Sequence, residues 1–182
     1  RQRQMCIRDS YNSDYESLTA AADELREYFC GNDFDVCTII NAKSGKCSEN
    51  CKFCAQSAHY HTNVKEYDLL DEEIIVKDAL DKYKRGIPRY SMVASGKGLT
   101  PKDIDKICSI TKKIYEEAPD IKVCISGGII SEESFEKLKE AGITRIHNNL
   151  ETSRKFFPEI CTTHTYDQKI DTIKAAQEAG ME

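Results

Sequence analysis

No stretch of this sequence stays apolar for the roughly 18–20 residues that a bilayer-spanning helix needs, so no membrane partner is expected. Basic charge is not in excess either. Lysine and arginine number 26 against 31 aspartates and glutamates, a formal net charge of −5. A protein that grips nucleic acid through its phosphates shows the opposite balance, so no nucleic-acid partner is expected. No positively charged segment followed by an apolar core, the mark of a secretory signal, precedes the cysteines. There is no internal repeat, no low-complexity tract and no G-x4-G-K-[ST] phosphate loop. No Ser-His-Asp or Cys-His hydrolytic arrangement is evident. What remains is an ordinary globular balance of 182 residues, 40% hydrophobic and 31% charged. That length suits one domain and buries a core without disulfide staples.

Cysteine is abundant, with nine in the chain. An odd count without a secretory signal argues against a secreted disulfide framework. It favours metal or redox chemistry in a reducing, cytoplasmic compartment. The first ten residues fit no pattern that follows and read as a disordered or artefactual leader. Residues 1–16 are therefore left unplaced.

From there a helix is expected over residues 17–29, where Leu18, Ala21, Ala22, Leu25 and Phe29 recur at helical spacing before Gly31. Residues 34–42 are apolar and β-branched and read as a strand. Residues 43–62 form a loop rich in cysteine and serine. Helices and strands then alternate: helix 71–85, strand 89–94, a helix opened by Thr100-Pro101, strand 121–125, a helix capped by Ser131, strand 143–150, and a helix opened by the capping box Thr165-x-x-Gln168. Four strand–helix units after a leading helix predict an α/β fold with a parallel sheet. Polar residues gather at the strand ends, in Ser95-Gly96-Lys97, Ser126-Gly127-Gly128 and Asn148-Asn149-Leu150-Glu151. Such folds place their sites there. The glycines suit either tight turns or close backbone approach to a cofactor.

The strongest chemical signal follows the first strand: Cys47, Cys51 and Cys54, spaced C-x3-C-x2-C. Three thiolates on one short loop can converge on a soft metal centre. A cubane iron–sulfur cluster has four irons, so three cysteines leave one open. A zinc site wants four closed ligands. Cys51-x2-Cys54-x4-His59 matches the first three of a zinc knuckle, but the fourth position falls at Val64, and His61 fits only with odd geometry.

At these residues the chain resembles the radical S-adenosylmethionine (SAM) enzymes, and the biotin synthase family among them. The resemblance runs through Asn41-Ala42-Lys43-Ser44-Gly45-Lys46-Cys47, Cys54-Ala55-Gln56-Ser57, His147-Asn148-Asn149-Leu150-Glu151-Thr152-Ser153 and Thr162-Thr163-His164-Thr165-Tyr166, and covers residues 17–182. It implies a [4Fe–4S] cluster on Cys47, Cys51 and Cys54, with SAM on the open iron. It further implies a 5′-deoxyadenosyl radical that takes hydrogen from dethiobiotin, and sulfur insertion from an auxiliary iron–sulfur cluster. An electron donor such as flavodoxin or ferredoxin and a homodimer come with it.

The same resemblance places Phe53 beside the adenine, where a plain loop anchor is the other reading. It places Asn149 and Glu151 on the SAM ribose, although many relatives carry aspartate at the position of Glu151. His147 matches a substrate-contacting position that is often asparagine, and a structural histidine is the alternative. Cys124 matches an auxiliary-cluster ligand, though mid-strand it also suits simple packing. Ser91 stands where most familiar relatives have a cysteine ligand, so the auxiliary cluster is expected to differ in type or ligation. Cys37 and Cys161 stay open as replacements, while Cys108 reads as packing. Another radical SAM enzyme, of maturase or mutase type, and a non-catalytic zinc module are the competing readings.

Length then gains a second meaning. A full (β/α)8 barrel needs roughly 250 residues, and four units are visible. The chain is expected to be truncated, holding a leading helix and the first half of a TIM-type barrel, and to be inactive alone. Residues 179–182 read as the approach to a fifth strand.

Overall fold

The computed structural model describes residues 2–32 and 34–182, with side chains from residue 7 onward. Arg1 and Asp33 lie outside the described residues, so the leader is described only from Gln2. The chain divides into two units, residues 1–35 and 36–182. In the first, α1 (Gln2–Asn12) occupies a segment where the sequence predicts no element. It is followed by α2 (Tyr15–Cys30). The carboxylate of Asp14 accepts from the Ser17 amide at 2.9 Å and caps α2, so that helix starts two residues earlier than its apolar periodicity indicates.

The second unit is an open α/β layer. Its elements are β1 (Cys37–Lys43), α3 (Glu72–Lys84), β2 (Arg89–Ala94), α4 (Pro101–Glu117), β3 (Lys122–Ser126), α5 (Glu132–Glu140), β4 (Arg145–Ile146), α6 (Phe157–Ile160) and α7 (Tyr166–Glu178). The strands lie in the order β1-β2-β3-β4, and each neighbouring pair is parallel. This is the predicted half-barrel arrangement, with β1 and β4 at the edges.

Side chains alternate across each strand. On β2 and β3, Tyr90, Met92, Val123 and Ile125 turn toward the helices. There they join Ile75 of α3, Ile104, Ile107 and Ile114 of α4, and Phe135 and Leu138 of α5 in one core. Fully burying each such side chain is worth about 1.5–3 kcal/mol. The Tyr90 hydroxyl stays satisfied by donating to Asp78 at 3.0 Å. Ser91 and Cys124 belong to the other face of the sheet and stand opposite each other in register.

One expected strand is much shorter than its sequence suggests. Of residues 143–150, only Arg145 and Ile146 form β4. The Ile143 amide turns back to the Leu138 carbonyl at 3.0 Å and closes α5 beyond Gly142 (φ 103°), so its backbone belongs to the helix end. After His147, whose amide reaches the Ile125 carbonyl at 2.8 Å, the chain leaves the ladder. Glu182 pairs with the free side of β4, donating to the Thr144 carbonyl and accepting from the Ile146 amide.

Two features fix the loops at the C-terminal ends of the strands. The loops after β2 and β3 are joined by Leu99 N–H to Gly127 O at 2.9 Å and Ile129 N–H to Lys97 O at 2.8 Å. Gly98 and Gly128 face each other there, and a Cβ on Gly98 would run into the Ile129 carbonyl. The glycines are therefore needed for loop-to-loop contact. The second feature is the start of α4. Thr100 and Asp103 form a reciprocal capping box, and Asp103 also meets Lys43 at the end of β1 at 3.1 Å.

Gly98→Ala is expected to cost about 1–3 kcal/mol through overpacking, read as a lower urea midpoint. For Asp103, burial opposes ionisation, but the hydrogen bonds from Lys43 and Thr100 outweigh it and hold the carboxyl below the ordinary carboxylate range. A depressed folded-state pKa means the stabilisation is complete at neutral pH and is lost as acid carries the group through its folded value. Asp103→Asn should destabilise by about 0.3–1 kcal/mol at pH 7. The difference from the parent in thermal melts should vanish below the ordinary carboxylate range.

Candidate functional site

The cysteine loop leaves β1 through two residues in the left-handed region, Gly45 (φ 73°) and Lys46 (φ 53°). A turn this tight drops Cys47 straight into the site. The loop then folds back on itself. The Cys47 amide donates to Gln56 O at 3.1 Å, and the Ala58 amide returns to Cys47 O at 2.8 Å. The Gln56 side chain accepts from the Gly45 amide at 2.6 Å, and buried Ser57 donates to Glu49 O at 2.6 Å.

The segment after α6 holds the loop, and the Asn50 side chain makes several of the contacts. Asn50 Oδ1 accepts from the amides of Thr162 and Thr163, at 2.9 and 3.3 Å, and its Nδ2 donates to Thr162 Oγ1 at 2.6 Å. Nearby, the Lys52 amide reaches the Ile160 carbonyl at the end of α6 at 2.9 Å. These bonds bring the segment after α6 against the cysteine loop. Cys161 Sγ then lies 3.7 Å from Cys51 Sγ, and buried His164 places Nδ1 2.7 Å from Glu49 Oε2.

Cys47, Cys51 and Cys54 line a cavity of about 250 Å³, and Phe53, His147, Asn149 and Glu151 line the same cavity. All seven residues that the sequence assigned to the cluster, SAM and substrate thus surround one space. Glu151 adopts φ 65°, a conformation rarely taken by residues with a side chain. Such strain gathers where a fold over-determines a functional position. Ser91 and Cys124 do not line the cavity but lie buried within the sheet. The Ser91 hydroxyl is buried without a hydrogen-bond partner among the described residues, and Arg89 Nη1 lies 3.5 Å from Cys124 Sγ.

Four residues of the site were given no role from sequence, Glu49, Asn50, His164 and Lys169, and Cys161 was left open only as a replacement ligand for the auxiliary cluster. The segment holding His164 was recognised as distinctive, but nothing local indicates what it faces. Lys169, in the first turns of α7, also lines the cavity. Burial lowers its pKa, partly offset by Glu151, Cys51 and Cys161. His59, the third residue of the alternative zinc knuckle, meets the Ser48 carbonyl at 2.9 Å and does not line the cavity of the three cysteines.

The electrostatics suit a soft cation. Burial, then the hydrogen bond and charge of Cys161, then the charges of Cys54 and Cys47, push the Cys51 thiol up to about 12. A half-buried thiol among such neighbours resists ionisation unless a metal balances the charge. The donor set therefore fits a three-cysteine cluster that keeps an open iron. His147 differs, because burial, then Arg145 and Arg89, hold its imidazole below its ordinary value and keep it neutral.

A family model described as the Radical SAM superfamily matches residues 42–182. Among curated proteins, the chain is 58% identical over 167 residues to a biotin synthase of Akkermansia muciniphila, covering 92% of this chain and 52% of that protein. It is 55% identical over 166 residues to one of Brachyspira hyodysenteriae, covering 91% and 50%. The chain thus spans about half the length of the curated relatives it matches. Among solved structures, methylornithine synthase superposes with TM-score 0.78 at 18% identity, over 96% of this chain and 52% of that one. A maturase of the [FeFe]-hydrogenase gives 0.74 at 22%, over 94% and 40%. At these identities the structures show the fold alone.

Asn50→Ala should release the 161–164 segment. The amides of Thr162 and Thr163 are expected to lose hydrogen-exchange protection, with a stability loss of about 1–3 kcal/mol for groups left unpaired. Unchanged exchange at both amides would show that other contacts hold the segment.

Proposed function

Since the chain belongs to the radical SAM superfamily, we propose that it forms the N-terminal, cluster-binding half of a biotin synthase, which converts dethiobiotin to biotin. The observation that carries this reading is the convergence of Cys47, Cys51 and Cys54 on the same cavity as Phe53, Asn149 and Glu151. Identity of 58% and 55% to biotin synthases supports the substrate.

When bound, the reduced [4Fe–4S] cluster supplies the electron that splits SAM and so starts the radical chemistry. The chain's own residues do the holding. The three thiolates anchor the cluster and leave one iron for SAM. Phe53, 57% exposed at the cavity, offers a face for the adenine. Glu151 can accept from vicinal ribose hydroxyls, and Asn149 can both donate and accept. Lys169, on the same cavity, would offer a cation to the SAM carboxylate. Neutral His147 can accept or donate a single hydrogen bond to the polar ring of the substrate.

For the auxiliary iron–sulfur centre, Cys124 offers one thiol and Ser91 a hard oxygen opposite it. We therefore propose a centre of altered type or ligation on this face of the sheet. The electron donor and the homodimer rest on the family resemblance alone. A reducing, cytoplasmic compartment is supported by the free state of the eight cysteines described, and no described helix is long and apolar enough to cross a membrane.

The test is anaerobic reconstitution with ferrous iron and sulfide. About four irons per chain and a brown chromophore are expected, both lost in Cys51→Ala. With reductant and SAM, the protein completed to the length of its relatives should yield 5′-deoxyadenosine and, with dethiobiotin, biotin. 5′-Deoxyadenosine without any biotin would move the assignment to another radical SAM reaction. A Cys51→Ala chain that still assembles the chromophore would overturn the cluster assignment itself.

A further inference from the structure

The three thiols of the loop do not exhaust the metal donors at this site. Cys161 and His164 come from the segment after α6, and with Cys51 their ligand atoms all lie within 4.8 Å of one another. We propose that Cys51, Cys161 and His164 form a second, mononuclear site for a zinc-like ion, one that shares Cys51 with the cluster and so excludes it.

Geometry carries the argument. Two thiolates on one tetrahedral ion, at a metal–sulfur distance of about 2.3 Å, lie about 3.8 Å apart, and a thiolate and an imidazole nitrogen about 3.5 Å apart. Cys51 and Cys161 stand 3.7 Å apart, and Cys161 Sγ lies 3.3 Å from Nδ1 and 3.9 Å from Nε2 of His164. A cubane gives each thiolate its own iron at a separate corner, so two sulfurs in direct contact suit one ion better than two irons.

The histidine is oriented as a ligand. Its Nδ1 meets Glu49 Oε2 at 2.7 Å, and both side chains are more than nine-tenths buried. With Nδ1 engaged by Glu49, Nε2, 3.9 Å from Cys161 Sγ, is the nitrogen left for the ion, although Nδ1 stands nearer to that sulfur at 3.3 Å. A carboxylate behind a ligating imidazole is the usual way such a ring is fixed in tautomer and direction. Soft sulfur with imidazole in a tetrahedral set selects zinc over harder ions. The fourth position falls to solvent on the cavity side. Binding displaces the thiol protons of Cys51 and Cys161 to solvent and involves no change of oxidation state.

The consequence is a competition. With Cys51 committed to the mononuclear ion, Cys47 and Cys54 cannot complete a three-cysteine cluster site. Exclusion of the cluster rests on the function proposed above, whereas binding of the ion does not.

The probe is cobalt(II), titrated anaerobically into the reduced, metal-free chain, with zinc then added in competition. One equivalent should give tetrahedral visible bands with thiolate charge transfer, and zinc should abolish them. Cys161→Ser and His164→Ala should each weaken binding at least 10-fold, and Glu49→Gln about 10–100-fold. Cys47→Ala should bind cobalt as the parent does while failing to assemble the cluster. Cys161→Ser should still assemble the cluster, and zinc added beforehand should block assembly in the parent but not in Cys161→Ser. Far-UV circular dichroism of each variant confirms its fold, and Cys161→Ala serves if Cys161→Ser does not fold. Loss of cobalt binding in Cys47→Ala with retention in Cys161→Ser would place the ion on the cysteine loop and overturn the proposal. Absence of thiolate bands in the parent would do the same. Failure of iron and sulfide to assemble, with cobalt binding intact, would count against the cluster reading alone.

Discussion

The side-chain amide of Asn50 ties together segments 112 and 113 residues apart, and the chemistry of the site depends on that tie. A loop of cysteines that hangs from a strand end is entropically free, and fixing it costs about 1–2 kcal/mol per residue. The amide offsets part of that cost by satisfying two backbone donors and two hydroxyls at once. It also decides what the cysteines meet. With the 161–164 segment docked, Cys51 faces a fourth thiol and Glu49 faces an imidazole. Without it the loop would present three thiols and a carboxylate to water.

The sheet divides its two faces between stability and chemistry. The helix-facing row of Tyr90, Met92, Val123 and Ile125 is apolar apart from one hydroxyl, and that hydroxyl is paired. The other row of β2 and β3 carries Arg89, Ser91 and Cys124, all buried. Burying polar groups costs free energy unless each finds a partner. Arg89 leans on Cys124, and the Ser91 hydroxyl has no partner among the described residues. A polar, buried row of this kind suits the auxiliary centre proposed on this face.

What could be read from the sequence tracks how local each signal is. β2 spans the residues that its apolar run predicts, and the caps at Thr100, Ser131 and Thr165 begin their helices as read, because a cap is decided within four residues. The three cysteines proposed for the cluster could be picked out because they lie on one short stretch of sequence, Cys47 to Cys54. β4 was over-read, since the apolar residues after Gly142 close a helix and the polar ones after Ile146 leave the ladder. Nothing local in the sequence indicated what Glu49, Cys161, His164 and Lys169 would face. Their roles exist only once α6 and α7 fold back over the loop, and no periodicity encodes that juxtaposition. α6 itself is four residues long and too short for a pattern.

The charge state of the thiols separates this site from the other things a cysteine-rich cavity can do. A nucleophilic or peroxide-reducing cysteine needs a depressed pKa, supplied by a helix N-terminus or a neighbouring cation. At Cys51 the environment does the reverse, whereas at Cys161 burial is outweighed by hydrogen bonds from Thr163 and the His164 backbone, which lower the thiol. Burial and three neighbouring thiols drive Cys51 upward, and burial lowers the pKa of Lys169, the ammonium on the same cavity. At neutral pH the metal-free thiol is therefore protonated and a poor nucleophile. The same crowding that disfavours a free thiolate favours a bound soft cation, because one ion relieves all the repulsions together and displaces the protons. Cys51 is thus unsuited to thiol catalysis and suited to metal, for one and the same reason.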